Sequence, residues 1–260
     1  MRTLLGVGDP IAELPQSASA VLYLRPEELT GPDGAFVAEW PGVRGRGVGA
    51  SQVLNGTPQW WVTSSAGFPL YGTSGGVREV VFSASQRMGT FSLPAKGAGA
   101  FTLALVVRNA QLSGATAAVA GFGGNANDRN VSLLSRFNST SAWSLTTALY
   151  SAPTDAAYAI TDSGGHPATT DRTLLVARYN GTTLELLEGT AADGSLASVG
   201  TRTVTLNTDE QLPIMLGAGA TNAPSAASAC SIVAAAAWRA RLDDTDAGAV
   251  YALAVAKGWL

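Results

Sequence analysis

The amino-acid sequence predicts an all-β fold, with two antiparallel sheets packed face to face and closed by a short C-terminal helix. Runs rich in β-branched and aromatic residues recur, each bounded by Gly, Pro, Asn or Asp: AVLYL from Ala20, REVVFSAS from Arg78, FTLALVVRN from Phe101, VSLLSRF from Val131 and WSLTTALY from Trp143. In FTLALVVRN both alternating sets are largely apolar, Phe101, Leu103, Leu105 and Val107 against Ala104 and Val106, which suits a strand covered on both faces. The last segment, AAAAWRARLDDTDAGAVYALAVAKGWL, instead carries helical spacing.

Residues 1–19, with Gly6, Gly8, Pro10 and Pro15, read as an irregular arm. Residues 20–260 read as one domain, because no repeat, linker or shift of composition divides them. In RTLLVARYNGTTLELLEG, Asn180-Gly181 lies between two β-prone runs and predicts a hairpin with a type I′ turn. Ser231 to Trp238 then read as a last apolar strand. Beyond it Asp243 is an expected N-cap, with Asp246 three residues on where a capping box places its acid. Val250, Leu253 and Ala254 share one helical face, and Lys257 and Gly258 supply the stop.

Composition excludes several classes of function. Apolar residues make up 46% of the 260 and charged residues 13%, so the chain can bury a core and its surface must rely on Ser, Thr, Asn and Gly. Net charge is −3 and the only lysines are Lys96 and Lys257, which leaves no basic stripe for nucleic acid. Cys230 stands alone in CSIVAAAAW, which rules out an internal disulfide framework and predicts a buried, inert thiol. The apolar patch of MRTLLGVGDP is cut off by Gly8, Asp9 and Pro10, too short for a signal-peptide core, and no run reaches the length of a membrane span. The expectation is synthesis in the cytoplasm without membrane insertion, any extracellular life following lysis.

The ending resembles the closing motif of the concanavalin A-like lectin/glucanase superfamily, especially its laminin-G-like bacterial and phage members. Those domains end in an apolar strand, an aromatic residue, a basic corner, a Leu, a capped helix and a Gly-aromatic tail. The corresponding stretches here are SIVAAAAW, RAR, Leu242, DDTDAGAVYALAVAK and GWL. The hairpin followed by LPIMLGAG, and the opening LYLRPEELTGPDGAFVAEWPGVRGRGVGASQ with its acidic turn, Trp and Gly-rich loop, are similar to further parts of the family pattern. The resemblance covers residues 20–260 and implies a jelly-roll sandwich. It departs at Glu188-Gly189, where an Asn-Gly turn is common, and at Ala234, where an acid is frequent. Both departures weaken the transfer of a metal or ligand site.

Glycosidases of that superfamily set their carboxylates on one strand roughly as E-x-D-x-x-E, and nothing here matches. Glu185 and Glu188 are three apart and face opposite ways on a strand, while Asp243, Asp244 and Asp246 are accounted for by helix capping. GTSGG, Gly72 to Gly76, fits the pattern of a nucleophile elbow, but a strand follows it where a helix is required. His166, the only histidine, could join Ser74 or Ser163 and Asp171 in a triad, or simply be a surface residue in a Gly/Pro loop. GGNANDRN gathers oxygen ligands for calcium at Asn127, Asp128 and Asn130, residues that equally suit a turn in which Asn and Asp bond their own backbone.

The aromatics point to sugar. Sugar rings present apolar C–H faces, which sites answer with an aromatic plate and a few placed hydrogen-bonding groups. One group is Trp60, Trp61 and Tyr71, with Phe68 beside them; the other is Trp143, Tyr150 and Tyr158, near His166 in sequence. Core packing is the competing reading for each. The expectation is a non-enzymatic module that binds cell-surface glycan, as a virion component (tail fibre, spike or head decoration) touching other virion proteins through residues 1–19. The alternatives are a purely structural capsid- or tail-decorating protein and a polysaccharide-degrading enzyme.

Overall fold

The computed structural model describes residues 10–43, 47–49, 51–54, 57–60, 68–83, 86–90, 100–111, 116–122, 131–137, 142–150, 157–161, 166–167, 172–203, 214–217 and 229–260. The strands of the first third are β1 (Ala20–Leu24), β2 (Glu39–Pro41), β3 (Gly47–Gly49), β4 (Ser51–Leu54), β5 (Thr57–Trp60), β6 (Leu70–Ser74), β7 (Val77–Phe82) and β8 (Met88–Thr90). β9 (Phe101–Gln111), β10 (Thr116–Phe122), β11 (Val131–Phe137), β12 (Ala142–Tyr150), β13 (Ala157–Thr161) and β14 (His166–Pro167) follow. The chain ends with β15 (Thr173–Tyr179), β16 (Thr183–Thr190), β17 (Ala197–Thr203), β18 (Ile214–Leu216), β19 (Ala229–Trp238) and helix α1 (Asp244–Ala256).

Among the described residues these strands form two antiparallel sheets and one separate hairpin, β4–β5. Sheet A runs β17-β16-β15-β9-β19-β7-β6, and β1 pairs with β19 beside β7; sheet B runs β13-β12-β11-β10-β18-β8-β3-β2. The all-β sandwich with one short C-terminal helix is therefore what the chain adopts.

The strand expected to be covered on both faces is covered on both: Phe101 to Val107 are all buried. Leu103, Leu105 and Val107 join the cluster between the sheets, with Trp40, Val48, Met88, Ile214 and Leu216 from sheet B. Ala104 and Val106 face outward into a second cluster with Leu14, Val233, Trp238, Leu242, Val250 and Trp259, sealed by α1. Burying one such aliphatic side chain contributes about 1.5–3 kcal/mol, so the helix is a third layer on the outer face of sheet A. Cys230 is buried, 3% exposed.

Asp243 is the N-cap that the helix sequence predicts, but the reciprocal bond of a capping box does not form, the Asp246 carboxylate accepting from Gln16 Nε2 instead. Asp243 accepts a hydrogen bond from the Asp246 backbone N–H at 2.8 Å. Gly258, at φ 68°, ends it in a Schellman motif, with Gly258 N bonded to Val255 O at 3.0 Å and Trp259 N to Ala254 O at 2.9 Å.

The hairpin of β15 and β16 forms, but its turn is of another type. Asn180 N bonds Thr183 O at 3.2 Å, so the central pair is Gly181-Thr182, with Gly181 at φ 101° and Thr182 outside the positive-φ region, the sign pattern of a type II′ turn. The Asn180 carboxamide oxygen is the physical reason: it accepts from Thr183 N at 2.7 Å and Thr182 N at 3.0 Å, which the left-handed conformation is not needed to achieve. In GTSGG the residues Gly72 to Ser74 end β6 and Gly75 and Gly76 (φ 54° and 79°) make the turn into β7, so no nucleophile elbow exists there.

Residues 10–19 form two short 3-10 turns laid on sheet A. Leu14 is 4% exposed, Trp238 Nε1 donates to Pro15 O at 2.9 Å, and Glu13 is a hub. Its carboxylate accepts from Tyr23 Oη at 2.6 Å, Arg25 Nη1 at 3.3 Å and Lys257 Nζ at 2.9 Å. Burial pushes the Glu13 carboxyl up, but the bonds from Tyr23, Lys257 and Arg25 outweigh it and hold the group below its ordinary value. A depressed carboxyl contributes stability above its unfolded value and loses it as pH falls through its folded one. The chain should therefore lose more thermal stability between about pH 5 and about pH 3 than Glu13→Gln does; equal losses in calorimetry would contradict this.

Candidate functional site

The most developed exposed site among the described residues is the outer edge of β6, along which residues 31–37 wrap back. PDGA makes the turn, Ala35 N bonding Pro32 O at 3.1 Å with Gly34 at φ 79° in the position that favours glycine. The segment then pairs with β6. Gly34 N reaches Tyr71 O at 2.8 Å, Tyr71 N reaches Ala35 O at 2.9 Å and Val37 N reaches Pro69 O at 2.7 Å, and Phe36 bridges to Leu70.

Two groups of side chains stand along this edge. Phe36 is 67% exposed and lies against Phe68, ring centroids 6.0 Å apart and tilted by 52°. Phe68 is fixed by buried Gln86, whose Nε2 donates to Phe68 O at 2.9 Å while its Oε1 accepts from Ser83 N at 2.7 Å. Across the strand lie Asp33, Tyr71, Thr73 and Arg78. Asp33 Oδ1 accepts from Arg78 Nη1 at 2.6 Å and from Thr73 Oγ1 at 2.9 Å. The Arg78 guanidinium also donates to Gly31 O and sits 5.5 Å from the centroid of the Tyr71 ring. That ring packs on Gly31 so closely that a Cβ there would lie 2.2 Å from it.

Two polar groups are left over. Asp33 Oδ2 and the Tyr71 hydroxyl make no hydrogen bond to any described residue, and the Asp33 side chain is 55% exposed. Alternation along β6 puts Phe36 with Leu70 on one side of the edge and Asp33 with Thr73 on the other. Phe36 is three positions from Asp33, a span of at most roughly 10 Å. A ligand using both groups passes over the edge from one side to the other.

Tyr71 is thus the sequence-predicted site residue whose side chain the structure places in a candidate site. The backbone of Trp60 ends β5, registered with Ser51, a few residues up the chain from Phe68. Trp61 lies outside the described residues, as do the calcium candidates Asn127, Asp128 and Asn130. Trp143 registers with His166, while Tyr150 registers with Ala157 and Tyr158 with Leu149. Trp143 and Tyr150 are seven residues apart on β12, roughly 24 Å, so the second aromatic group divides between the two ends of that strand. Among the described residues no group of three or more His, Cys, Asp or Glu is placed to hold a metal, and no helix is long and apolar enough to cross a membrane.

Other features are structural. Glu79, 1% exposed, is bound by Arg108 through both Nε and Nη2. A groove of about 490 Å3 between α1 and the β16–β17 turn is lined by Ala191, Leu196 and Val255, and the Tyr251 hydroxyl there is spent on Thr190 O. It offers sugar hydroxyls few partners.

Phe36, Asp33 and Arg78 were not singled out from sequence. PDGAF does carry a signal, a tight turn that projects an acid and then an aromatic, but the partner Arg78 is 45 positions from Asp33 and only the fold joins them.

No family model matches the chain, and no curated protein matches it. Solved structures do. An arabinofuranosidase complexed with arabinofuranosyl-alpha-1,2-xylobiose shares 12% identity over 91% of this chain and 59% of its own, with a TM-score of 0.61. Trypanosoma rangeli sialidase in complex with 2,3-difluorosialic acid shares 13% over 92% of this chain and 33% of its own, TM-score 0.56. Domain 4 of AbnA, a GH43 extracellular arabinanase from Geobacillus stearothermophilus, in complex with arabinotriose, shares 14% over 88% of this chain and 97% of that domain, TM-score 0.54. At these identities the likeness is one of fold, a β-sandwich that recurs in carbohydrate-active proteins. The chain spans about 59% of the arabinofuranosidase and 33% of the sialidase.

Proposed function

We propose that this chain is a non-enzymatic carbohydrate-binding module whose glycan lies across the β6 edge. The observation that carries the reading is Phe36, an aromatic ring 67% exposed and held by the ladder to β6, with a fixed carboxylate and a phenol within one short oligosaccharide's reach. Exposed rings cost solvation that a sugar's C–H face recovers, and the placed polar groups orient its hydroxyls. The neighbours' fold supports the same class, domain 4 of AbnA in particular, because it is matched over 97% of its length and is in complex with arabinotriose. The resemblance of the closing segment to bacterial and phage laminin-G-like domains supports a place in adhesion, on a virion among others, with host surface glycan as the target.

The test is calorimetric titration of the chain with a panel of polysaccharides and with host-cell glycan. Binding should occur without release of reducing ends, and Phe36→Ala should weaken it roughly tenfold. A blank panel at high protein concentration, or steady release of sugar, would sink the reading.

A further inference from the structure

We infer that Asp33 sets the ligand class of this edge: it takes neutral, hydroxyl-rich glycan and turns away glycan bearing carboxylate or sulfate. The inference rests on the preceding reading, that a glycan binds there at all. Arg78, the cation that lines the edge, is already spent. Its Nη1 serves Asp33 and Thr73 and its Nη2 serves Gly31 O, so its charge is matched by Asp33 and both terminal nitrogens are engaged.

Asp33 is in the opposite state. Oδ1 is pinned by Thr73 and Arg78, which fixes the carboxylate plane, while Oδ2 remains in an exposed position with no partner among the described residues. Held in place by its ion pair, such a carboxylate oxygen accepts strong charge-assisted hydrogen bonds from sugar hydroxyls without losing further side-chain freedom. An acidic sugar meets like charge at the same point, and Arg78, the cation beside it, is already matched by Asp33. Thr73 is a positioning residue here, acting through Asp33.

The experiment compares the wild-type chain, Asp33→Asn and Phe36→Ala in affinity electrophoresis. The probes are two neutral polysaccharides, debranched arabinan and xylan, and two acidic ones, polygalacturonate and heparin. Wild type should be retarded by a neutral probe and by neither acidic one. Asp33→Asn should lose roughly tenfold on the neutral probe. It should also gain retardation by the acidic probes that fades with added salt, because Arg78 is no longer matched. Phe36→Ala should weaken neutral binding and gain nothing with acidic probes. Wild type bound as well by acidic as by neutral probes, or Asp33→Asn with both affinities unchanged, overturns the inference while leaving glycan binding standing. Wild type bound by no probe overturns the glycan reading and this one with it. Asp33 is exposed, so unaltered melting of the variant separates recognition from folding.

Discussion

Trp238→Ala is expected to lower the free energy of unfolding by about 4 kcal/mol, the largest effect of any single aromatic change outside the inter-sheet cluster. Trp238 is 1% exposed and stands where four pieces of chain meet. It ends β19, registers with Ala20 of β1 and Thr102 of β9, and donates through its indole N–H to Pro15 O at 2.9 Å. Truncation opens a cavity between sheet A and the 3-10 turns and also removes the partner of a sheltered carbonyl, and these two costs add. Urea unfolding followed by far-ultraviolet dichroism gives the number. Trp238→Phe, which keeps most of the ring and loses only the N–H, should cost about 1–2 kcal/mol. A loss below about 1 kcal/mol for the alanine variant would show that the N-terminal turns are not held as described.

Arg178→Ala should cost about 3 kcal/mol, because sheltered Glu185 is left with only the partly exposed Arg241 and the Leu242 carbonyl loses its donor. Arg178 is 3% exposed and ties the hairpin to the closing segment. Its Nε donates to Glu185 Oε2 at 2.8 Å, its Nη1 to Leu242 O at 3.1 Å and its Nη2 to Asp244. Glu185 also holds Arg241 at 2.9 Å. Thr102 completes the corner, its hydroxyl donating to Ala240 O at 2.8 Å and accepting from Leu242 N at 2.9 Å. The bond from Arg178 holds the Asp244 carboxyl below its ordinary value, yet Asp244 is open to solvent, so Asp244→Ala should cost far less. The discriminating variant is Arg178→Met with Glu185→Met, which removes both charges and fills the space; it should recover much of what Arg178→Ala loses. Additive losses in the double variant would mean that packing, and not the pairing of charge, dominates at this corner.

The fold was legible because its signals are local and repeated. FTLALVVRN states in nine residues that both of its faces are covered, and the DDTD and KG punctuation of α1 sets its ends within a residue. The Asn180 turn was legible in place but not in type, since the side-chain bond to Thr183 competes with the backbone preference that the dipeptide suggests. The candidate site was legible only at Tyr71. Asp33, Thr73 and Arg78 become one unit through a strand pairing, and single-residue chemistry says nothing of which edge the turn at PDGA will cover. Phe36, the exposed ring of the edge, sits alone in its stretch of sequence and so carries no signal of the kind that the adjacent Trp60 and Trp61 do.

Ala20 faces Trp238 across an antiparallel pair, and Glu13 is held to Lys257 at 2.9 Å, so both ends of the folded body leave from one side. Tension applied between them does not slide β1 past β19. It peels one from the other, loading the salt bridge first and then each hydrogen-bonded pair in turn. The body therefore resists load weakly along the line through its ends. A pull on the β6 edge meets the sheet across several strands at once.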